Sequence, residues 1–310
     1  TLAACKQKPA FSGYSIQKSI VADSAIVSTA HPLASEVGLQ VLKDGGNAID
    51  AAVAVQLALA VVYPVAGNIG GGGFLVYRSG DGQDVAALDF REKAPAKAQR
   101  DMYLDAEGNV IEGKSTEGHL AAGVPGSVEG CWQMFQKYSQ LKDWKRLVQP
   151  AIDLAEKGFR ITASEANGLN EYKRGFIKNN TQACVFVKKD TSEVWKAGEL
   201  LIQTELAETL KRIRDQGRDG FYRGKTADLV AAEMQRGGGW ITAQDMTNYH
   251  AVWRKPMLGK YRGYDLISMP PPSSGGIALF QLLGMVEHHS FAKSGFHSPA
   301  HIHLFTEAER

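Results

Sequence analysis

Residues 48–62 are apolar on nearly every face of a helix, and this segment constrains the fold more than any other feature of the sequence. Asn47 can cap its amino end, with Asp50 three residues later as a partial capping box. A helix without a polar face has to be covered on all sides by other elements. The longest apolar run, 51–63, would be about 20 Å long as a helix, which is short of a bilayer core of roughly 30 Å. The segment therefore predicts the centre of a folded core and not a membrane span.

The composition is that of an ordinary folded protein and excludes several functional classes. Of the 310 residues, 44% are hydrophobic and 22% are charged, and 35 Lys and Arg against 33 Asp and Glu leave a formal charge of +2. A chain of this length buries roughly three quarters of its unfolded surface, which is enough for one large core or two moderate ones. Because Lys and Arg occur in short, mixed runs, neither nucleic acid nor an anionic membrane surface is expected as a partner. The three cysteines, Cys5, Cys131 and Cys184, predict neither a disulfide framework nor a zinc ribbon.

The first residues contain a short pattern that is typical of bacterial lipoproteins. Leu2-Ala3-Ala4-Cys5 resembles the end of a lipoprotein signal, in which Cys5 is the residue that carries the lipid; the apolar part of such a signal is missing. We interpret residues 1–20 as the remnant of a leader that tethers the protein, with a random match as the alternative. The pattern predicts a periplasmic or cell-surface bacterial protein whose contact with a membrane is limited to a lipid anchor.

Helical segments and a few strands alternate along the rest of the chain. Strands are predicted at Ala25–Thr29 and near His250–Met257 and Tyr264–Ser268, and a hairpin is predicted from Phe74–Arg78 and Val85–Phe90. Apolar spacing and cap residues predict helices at 34–42, 48–62, 127–140, 144–157, 163–178, 204–215 and 225–235, and two more after Gly276 and Pro299.

This mixture of hairpin strands and long apolar helices indicates an α/β or α+β layered fold. The last predicted helix still continues at Arg310. We therefore expect the fold to be incomplete, which leaves room for a catalytic group beyond Arg310.

Several segments that look like functional motifs have a simpler structural interpretation. The glycines within 67–73 follow a helix and precede a strand, the reverse of the order in a dinucleotide-binding loop, so we interpret them as a place where another backbone or a ligand comes close. Residues 219–226 lack the spacing of a phosphate-binding loop. Five of the eight histidines lie within 288–303, but their spacing does not let three of them converge on one ion. We expect neither a cofactor nor a metal.

The sequence contains no convincing nucleophile. Neither G-x-S-x-G nor H-E-x-x-H occurs, and Ser273 and Ser274 have no evident base beside them. These two serines are at least as well explained as caps of the following helix.

Arg91 is the strongest candidate for a binding residue. It follows the predicted strand 85–90 directly, where a strand end would present the guanidinium toward a crevice. A guanidinium binds a carboxylate through two hydrogen bonds, and such a contact contributes on the order of 1.5–3 kcal/mol. A structural ion pair with Asp89 or Glu92 explains the same residue equally well, so the residues alone leave both interpretations open.

The order of several motifs resembles one family closely, the γ-glutamyltranspeptidases, over nearly the whole chain. The main matching segments are Lys43–Ala52, Gly67–Phe74, Asp89–Pro95 and Met269–Gly276. Supporting segments are His119–Gly126, Gln149–Ala151, Phe221–Gly224 and Tyr261–Tyr264. No single segment would identify the family. The order of the segments and their coverage of the chain make the resemblance specific.

The resemblance implies an α+β fold with four αββα layers, that of the N-terminal-nucleophile hydrolases, in which residues 21–310 are the large-subunit portion of one domain. The family makes a single precursor that cleaves itself into a large and a small subunit, and the new amino-terminal threonine of the small subunit attacks the γ-glutamyl amide of glutathione or a related donor. Water, an amino acid or a peptide then takes up the glutamyl group. Arg91 matches the family arginine that binds the donor's α-carboxylate. The catalytic groups would belong to the small subunit, so the 310 residues alone are expected to be inactive.

Other functions remain as alternatives. Relatives that cleave β-lactam side chains or depolymerise poly-γ-glutamate share the processing scheme and differ in the acyl pocket. A non-catalytic binding or structural fragment is the alternative from another class. Arg91 favours a donor with a free α-carboxylate, such as glutathione, and a threonine-led segment beyond Arg310 would distinguish the enzyme from the fragment.

Overall fold

The computed structural model describes residues 20–291, 295 and 297–310. Cys5 and nearly all of the predicted leader lie outside these residues. The chain divides into two compact units, which we name the helical unit and the strand unit. The helical unit comprises the described residues up to Gly72 together with Arg91–His250, and the strand unit comprises Gly73–Phe90 together with the described part of Ala251–Arg310.

The helical unit contains most of the described helices, together with two long irregular segments, 91–118 and 180–199. Its elements are α1 Pro32–Lys43, α2 Ala48–Val62, a 3-10 turn at His119–Ala121, α3 Ser127–Tyr138, α4 Trp144–Lys157, β3 Phe159–Arg160, α5 Ala163–Asn179, β4 Leu200–Leu201, α6 Thr204–Gln216, α7 Asp219–Tyr222, α8 Gly224–Gly237 and α9 Ala243–Asn248. The short strands β3 and β4 pair antiparallel.

Helix α2 lies at the centre of this unit, as its all-round apolar sequence predicts. It packs against α1, α3 and α4. Its buried residues are Ile49, Asp50, Ala51, Val53, Ala54, Leu57, Ala58, Ala60, Val61 and Val62. On the remaining side, Ala52, Val55, Gln56 and Leu59 are only partly buried, so the expected cover on all sides is not complete in the described residues. The predicted capping box is confirmed, because the Asn47 side chain accepts from the amides of Ile49 and Asp50 and the Asp50 carboxylate accepts from the amide of Asn47.

The glycines after α2 allow two backbones to come close. A Cβ atom on Gly67 would lie 2.1 Å from the carbonyl oxygen of Leu59 in α2, so only glycine fits there. The carbonyl of Gly71 accepts from the amides of Gly126 and Ser127 at 2.7 and 3.0 Å, which joins the glycine segment to the beginning of α3. The predicted close approach of another backbone is therefore confirmed at Gly67.

The described residues of the strand unit include two antiparallel sheets, with helices in its carboxyl-terminal part. Its elements are β1 Phe74–Arg78, β2 Val85–Asp89, β5 Val252–Arg254, β6 Met257–Tyr261, β7 Tyr264–Ser268, α10 Gly275–Val286 and α11 Pro299–Glu309. One sheet has the order β1-β2-β5, with β2 between its neighbours, and the other is the β6-β7 hairpin. Strand β2 has four of its five residues buried, whereas β1 is half exposed.

Two predicted strands differ from the structure. Residues 25–29 form no ladder, so the strand predicted there is wrong; a β-branched segment without a partner strand stays irregular, and the Val27 side chain packs beside Gly38 of α1. The single strand predicted near His250–Met257 is two strands, β5 and β6, separated by Pro256, which has no amide hydrogen for a ladder.

The remaining predicted elements are confirmed with ends that shift by one or two residues. The strands pair antiparallel and do not alternate with helices as in βαβ units, which makes this an α+β structure. None of the helices within the described part of the chain is both long and apolar enough to cross a membrane.

Candidate functional site

Arg91 lies at the wall of a cavity in the helical unit. It is the first residue of that unit after β2, and it borders a cavity of about 560 Å³. Other residues of this wall are Gly70, Lys93, Tyr103, Leu120 and Gly123. Arg91 thus lies beside a crevice, and its role as a binding residue stays a prediction.

The main chain after Arg91 is held on both sides. The Lys93 amide donates to the Val124 carbonyl at 3.1 Å, and the Val124 amide donates back at 2.7 Å. Three residues further on, the Ala96 amide donates to the Asp245 carboxylate at 2.8 Å. A Cβ atom on Gly123 would lie 2.8 Å from the Cβ atom of Glu92, so the two segments are in close contact.

The carbonyl of Arg91 itself accepts from the Tyr249 hydroxyl at 2.7 Å. Lys93 reaches the same region, because its ammonium donates to the His250 carbonyl at 2.8 Å and lies 5.1 Å from the centre of the Tyr249 ring. Tyr249 is buried. The main chain of Arg91, which forms part of the cavity wall, is therefore held by a hydrogen bond from Tyr249, a residue 158 positions later in the chain.

A second part of the cavity wall, the 3-10 turn at His119–Ala121, is held in place by a contact with Glu233 in α8. The 3-10 turn begins at His119, and its neighbours Leu120 and Ala121 line the cavity. His119 Nε2 lies 2.8 Å from a carboxylate oxygen of Glu233, which also accepts from the Thr181 hydroxyl at 2.7–2.8 Å. Burial raises the pKa of Glu233, but hydrogen bonds from Thr181, His119 and Arg236 outweigh it and lower the pKa from 4.5 to about 2.

Asp89, one of the ion-pair partners considered for Arg91, also has a partner within the strand unit. The Arg254 guanidinium donates to one oxygen of Asp89 from Nε at 2.9 Å and from Nη2 at 2.7 Å. Arg254 on β5 and Asp89 on β2 belong to neighbouring strands of one sheet, so this ion pair stabilises the strand end that precedes Arg91.

The structure accounts for several side chains that were considered as nucleophiles or helix caps. Burial raises the pKa of the Cys131 thiol to about 12, so the thiol remains protonated and unreactive near neutral pH. Ser273 accepts from the Gly275 amide at 3.3 Å, whereas Ser274, the residue before α10, makes no capping hydrogen bond with its side chain. No three His, Cys, Asp or Glu side chains of the described chain are arranged to hold a metal ion.

Sequence reasoning missed the residues that support Arg91 from behind, above all Tyr249, Arg218 and Glu129. A weak signal was available, because Glu129 stands among small and apolar residues at the beginning of α3. A carboxylate at such a position is rarely buried without a cation beside it. The sequence does not indicate which arginine is that cation.

Comparison with known proteins gives a consistent result. The family model described as gamma-glutamyltranspeptidase matches residues 34–310. A glutathione hydrolase proenzyme of Pseudomonas sp. (strain A14) is 45% identical over 295 residues, which are 95% of this chain and 51% of that protein. The chain thus spans about half the length of this relative.

Two further relatives extend the comparison to structure and to a different named activity. The crystal structure of Helicobacter pylori gamma-glutamyltranspeptidase matches with a TM-score of 0.90 and 46% identity, over 94% of this chain and 82% of that one. An acylase ACY 1 proenzyme of Pseudomonas sp. (strain V22) is 34% identical over 310 residues, which are 98% of this chain and 53% of that protein.

Proposed function

This chain belongs to the gamma-glutamyltranspeptidase family and has its N-terminal-nucleophile hydrolase fold, and on that premise we propose that the protein transfers or hydrolyses the γ-glutamyl group of glutathione and related donors. The observation that carries the proposal is Arg91 at the wall of a 560 Å³ cavity. A guanidinium there can receive the α-carboxylate of a γ-glutamyl donor through two parallel hydrogen bonds.

The proposed chemistry divides the work between two polypeptides of one precursor. These 310 residues are the large-subunit portion, and the nucleophile is the amino-terminal threonine of a small subunit. Its hydroxyl attacks the γ-glutamyl carbonyl while its own α-amino group takes the proton, and backbone amides of the small subunit stabilise the oxyanion. The amide C–N bond then breaks, the leaving amine takes the proton, and a γ-glutamyl ester forms. Water hydrolyses this ester, or the amine of an amino acid or peptide accepts the glutamyl group.

The division into subunits has a direct test in the full-length protein. We expect the intact mass of the purified, denatured sample to show two polypeptides, the second of which begins with threonine. Replacing that threonine with alanine is expected to leave one uncut chain without activity. A single uncut species from the unaltered gene would contradict the processed enzyme. The 310 residues expressed alone are expected to be inactive.

The role of Arg91 is tested by Arg91→Lys in the processed full-length protein. The ammonium keeps the charge but cannot reproduce the two-pronged contact, so we expect the KM for the γ-glutamyl donor to rise by about 10-fold or more with a smaller change in kcat. This corresponds to a loss on the order of 1.5–3 kcal/mol. If the variant has the wild-type KM and kcat for the donor, Arg91 does not bind the α-carboxylate and its role is structural.

Arg100→Lys is the matched control for Arg91→Lys. The Arg100 side chain is 91% exposed and pairs with its neighbour Asp101. Because exposed pairs contribute little, this variant should keep the wild-type KM.

A second candidate function follows from the acylase relative. Acylases of this fold would use the same nucleophile on a different acyl group, and poly-γ-glutamate depolymerases would use it on the γ-glutamyl bonds of a polymer. Competition between a γ-glutamyl amide and a β-lactam with an acyl side chain measures the preference directly. We expect the γ-glutamyl amide to have the higher kcat/KM because Arg91 can pair with its free α-carboxylate. A non-catalytic fragment would process neither substrate.

We further propose that the protein is periplasmic or on the cell surface and is anchored through a lipid on Cys5. In this view residues 1–20 are the tether and residues 21–310 are the large-subunit portion of one domain that the small subunit completes. Cys5→Ser in the full-length gene should release the protein from the membrane fraction without changing its kcat. If the variant stays in the membrane fraction, the proposal that Cys5 carries the anchor is wrong.

A further inference from the structure

A buried polar cluster lies directly behind Arg91 in the helical unit. We name it the Tyr249 cluster and define it as Glu129, Arg218, Tyr222 and Tyr249. The Tyr249 ring stacks on the Tyr222 ring with centres 5.7 Å apart and planes 9° apart. Its hydroxyl donates to the carbonyl of Arg91 at 2.7 Å. The cluster therefore ends at the main chain of the proposed substrate-binding residue.

The rest of the cluster fixes the Tyr249 ring and its backbone. The Tyr222 hydroxyl donates to the Pro125 carbonyl at 2.9 Å and accepts from the Glu129 amide at 3.2 Å. The Arg218 guanidinium lies 4.7 Å from the centre of the Tyr222 ring, pairs with the Glu129 carboxylate and donates to the Tyr249 carbonyl. Burial raises the pKa of Tyr222 well above its ordinary value, so its hydroxyl keeps its proton as a donor.

Stability alone is a weak explanation for such a cluster. The Glu129 side chain is fully buried and the Arg218 side chain is 13% exposed. Apolar residues of similar volume often replace a buried ion pair without loss of stability, because the desolvation of the two charges offsets their attraction. What an apolar replacement cannot provide is a directed hydrogen bond to one carbonyl at the cavity wall.

We infer that Tyr249 is a positioning residue that holds the Arg91 main chain so that its guanidinium meets the donor's α-carboxylate. This inference rests on the proposed function. The long arginine side chain needs a fixed Cα atom, since a shift of about 1 Å at its base weakens a two-pronged contact. The backbone of Phe90 is paired with Gly73, and that of Lys93 is paired with Val124. The Tyr249 hydroxyl binds the Arg91 carbonyl, which belongs to neither of these two pairs.

The test is Tyr249→Phe in the processed full-length protein, which removes one oxygen atom and keeps the stacked ring. We expect the donor KM to rise about 3–10-fold while kcat changes less than about twofold, because donor binding is weakened uniformly in the ground and transition states. In an Arg91→Lys background the same substitution should have little further effect, since the group that it positions is absent.

A matched control removes a buried hydrogen bond of the same kind elsewhere in the helical unit. Trp144 donates from Nε1 to the Ile213 carbonyl at 2.8 Å, and Trp144→Phe deletes that bond. It should lower thermal stability and keep the wild-type donor KM. Arg218→Lys serves as a second variant: it keeps a charge beside Glu129, loses the planar fork, and should raise the donor KM in the same direction as Tyr249→Phe.

The outcomes separate this inference from the proposed function. A wild-type KM in both Tyr249→Phe and Arg218→Lys, or an equal rise for Tyr249→Phe with and without Arg91→Lys, overturns the positioning role. A wild-type KM in Arg91→Lys itself overturns the proposed binding role of Arg91 instead. A rise in KM that disappears in the Arg91→Lys background supports both.

Discussion

A single carboxylate, that of Glu233, joins three segments of the helical unit. It accepts from the Thr181 hydroxyl, lies 2.8 Å from His119 Nε2 and pairs with the Arg236 guanidinium. Through His119 it holds the 3-10 turn whose next residues line the Arg91 cavity. Space around this contact is tight, because a Cβ atom on Gly237 would lie 2.1 Å from the His119 ring.

Acid should therefore weaken the helical unit through Glu233. The pKa of Glu233 is lowered to about 2 in the folded chain, against 4.5 for the free side chain. A lowered pKa means that the stabilisation is fully present above about pH 4.5 and is lost as the pH falls toward 2. At a carboxylate that is 30% exposed, this stabilisation is on the order of 1–2 kcal/mol once solvent screening is allowed for.

The measurement is the free energy of unfolding of wild type and Glu233→Gln between pH 7 and pH 2. The difference between the two proteins should be largest at neutral pH and should shrink below about pH 4.5. Glu208→Gln is the control, since the Glu208 side chain is 55% exposed and pairs with Lys211 on the surface. A difference for Glu233→Gln that does not change with pH would contradict the role of its charge.

At the scale of elements, the amino end of α2 is connected to the turn after α3 by Asp50. One carboxylate oxygen accepts from the amides of Asn47, Gln140 and Leu141 at 2.9–3.2 Å. The other accepts from the Ser139 hydroxyl. Asp50 is fully buried. When its carboxylate is removed, water cannot replace it as the hydrogen-bond acceptor for these donors.

Asp50→Ala is expected to lower the free energy of unfolding by about 2–4 kcal/mol, because it removes a cap and leaves buried amides unsatisfied. Urea unfolding measures this loss directly. Asp44→Ala at the end of α1 is the control. Asp44 also pairs with a side chain, that of Arg146, but it is 30% exposed, so its removal should cost much less than the removal of Asp50. Equal losses in the two variants would contradict the central position of α2.

Helix α2 also shows which contacts can be predicted from the sequence and which cannot. Asn47 and Asp50 are three residues apart, so the capping box was predictable from local spacing. The hydrogen bond from Ser139 to Asp50 joins residues 89 positions apart, and no local pattern indicates it. The strand predicted at 25–29 was wrong for a related reason, since a strand depends on a partner that local preference cannot supply.

At the scale of the whole molecule, local sequence patterns likewise do not indicate the long-range contacts of the candidate site. Arg91 was predictable because the end of a strand is a local feature that places a side chain at an edge. The residues that hold it were not, because Tyr249 lies 158 positions from Arg91 and Arg218 lies 89 positions from Glu129. Contacts of this range depend on how the complete chain packs.

Among the described residues, apolar side chains are buried to different extents in the two units. In the strand unit the buried apolar side chains are Ala86, Ala87, Leu88, Phe90, Met269 and Val286. Exposed apolar or aromatic side chains among the described residues of the same unit include Phe74, Val76, Val252, Leu258, Tyr264, Ile277, Leu279, Met285, Ile302 and Phe305. The helical unit, by contrast, has long helices with continuous buried faces, such as Leu147, Val148, Ala151 and Ile152 in α4.

Exposed apolar surface of this kind predicts a difference in amide hydrogen exchange between the 310-residue chain and the full-length protein. Segments with few buried apolar contacts open at a low free energy, so β1 and α10 should exchange faster than α4 in the chain alone. If a small subunit of the same precursor covers these side chains, exchange in β1 and α10 should slow by 10-fold or more in the processed protein, whereas α4 should be unchanged. Equal exchange of β1 and α10 in the two samples would mean that their apolar side chains are exposed in the mature protein as well, and the proposed two-subunit domain would need another interface.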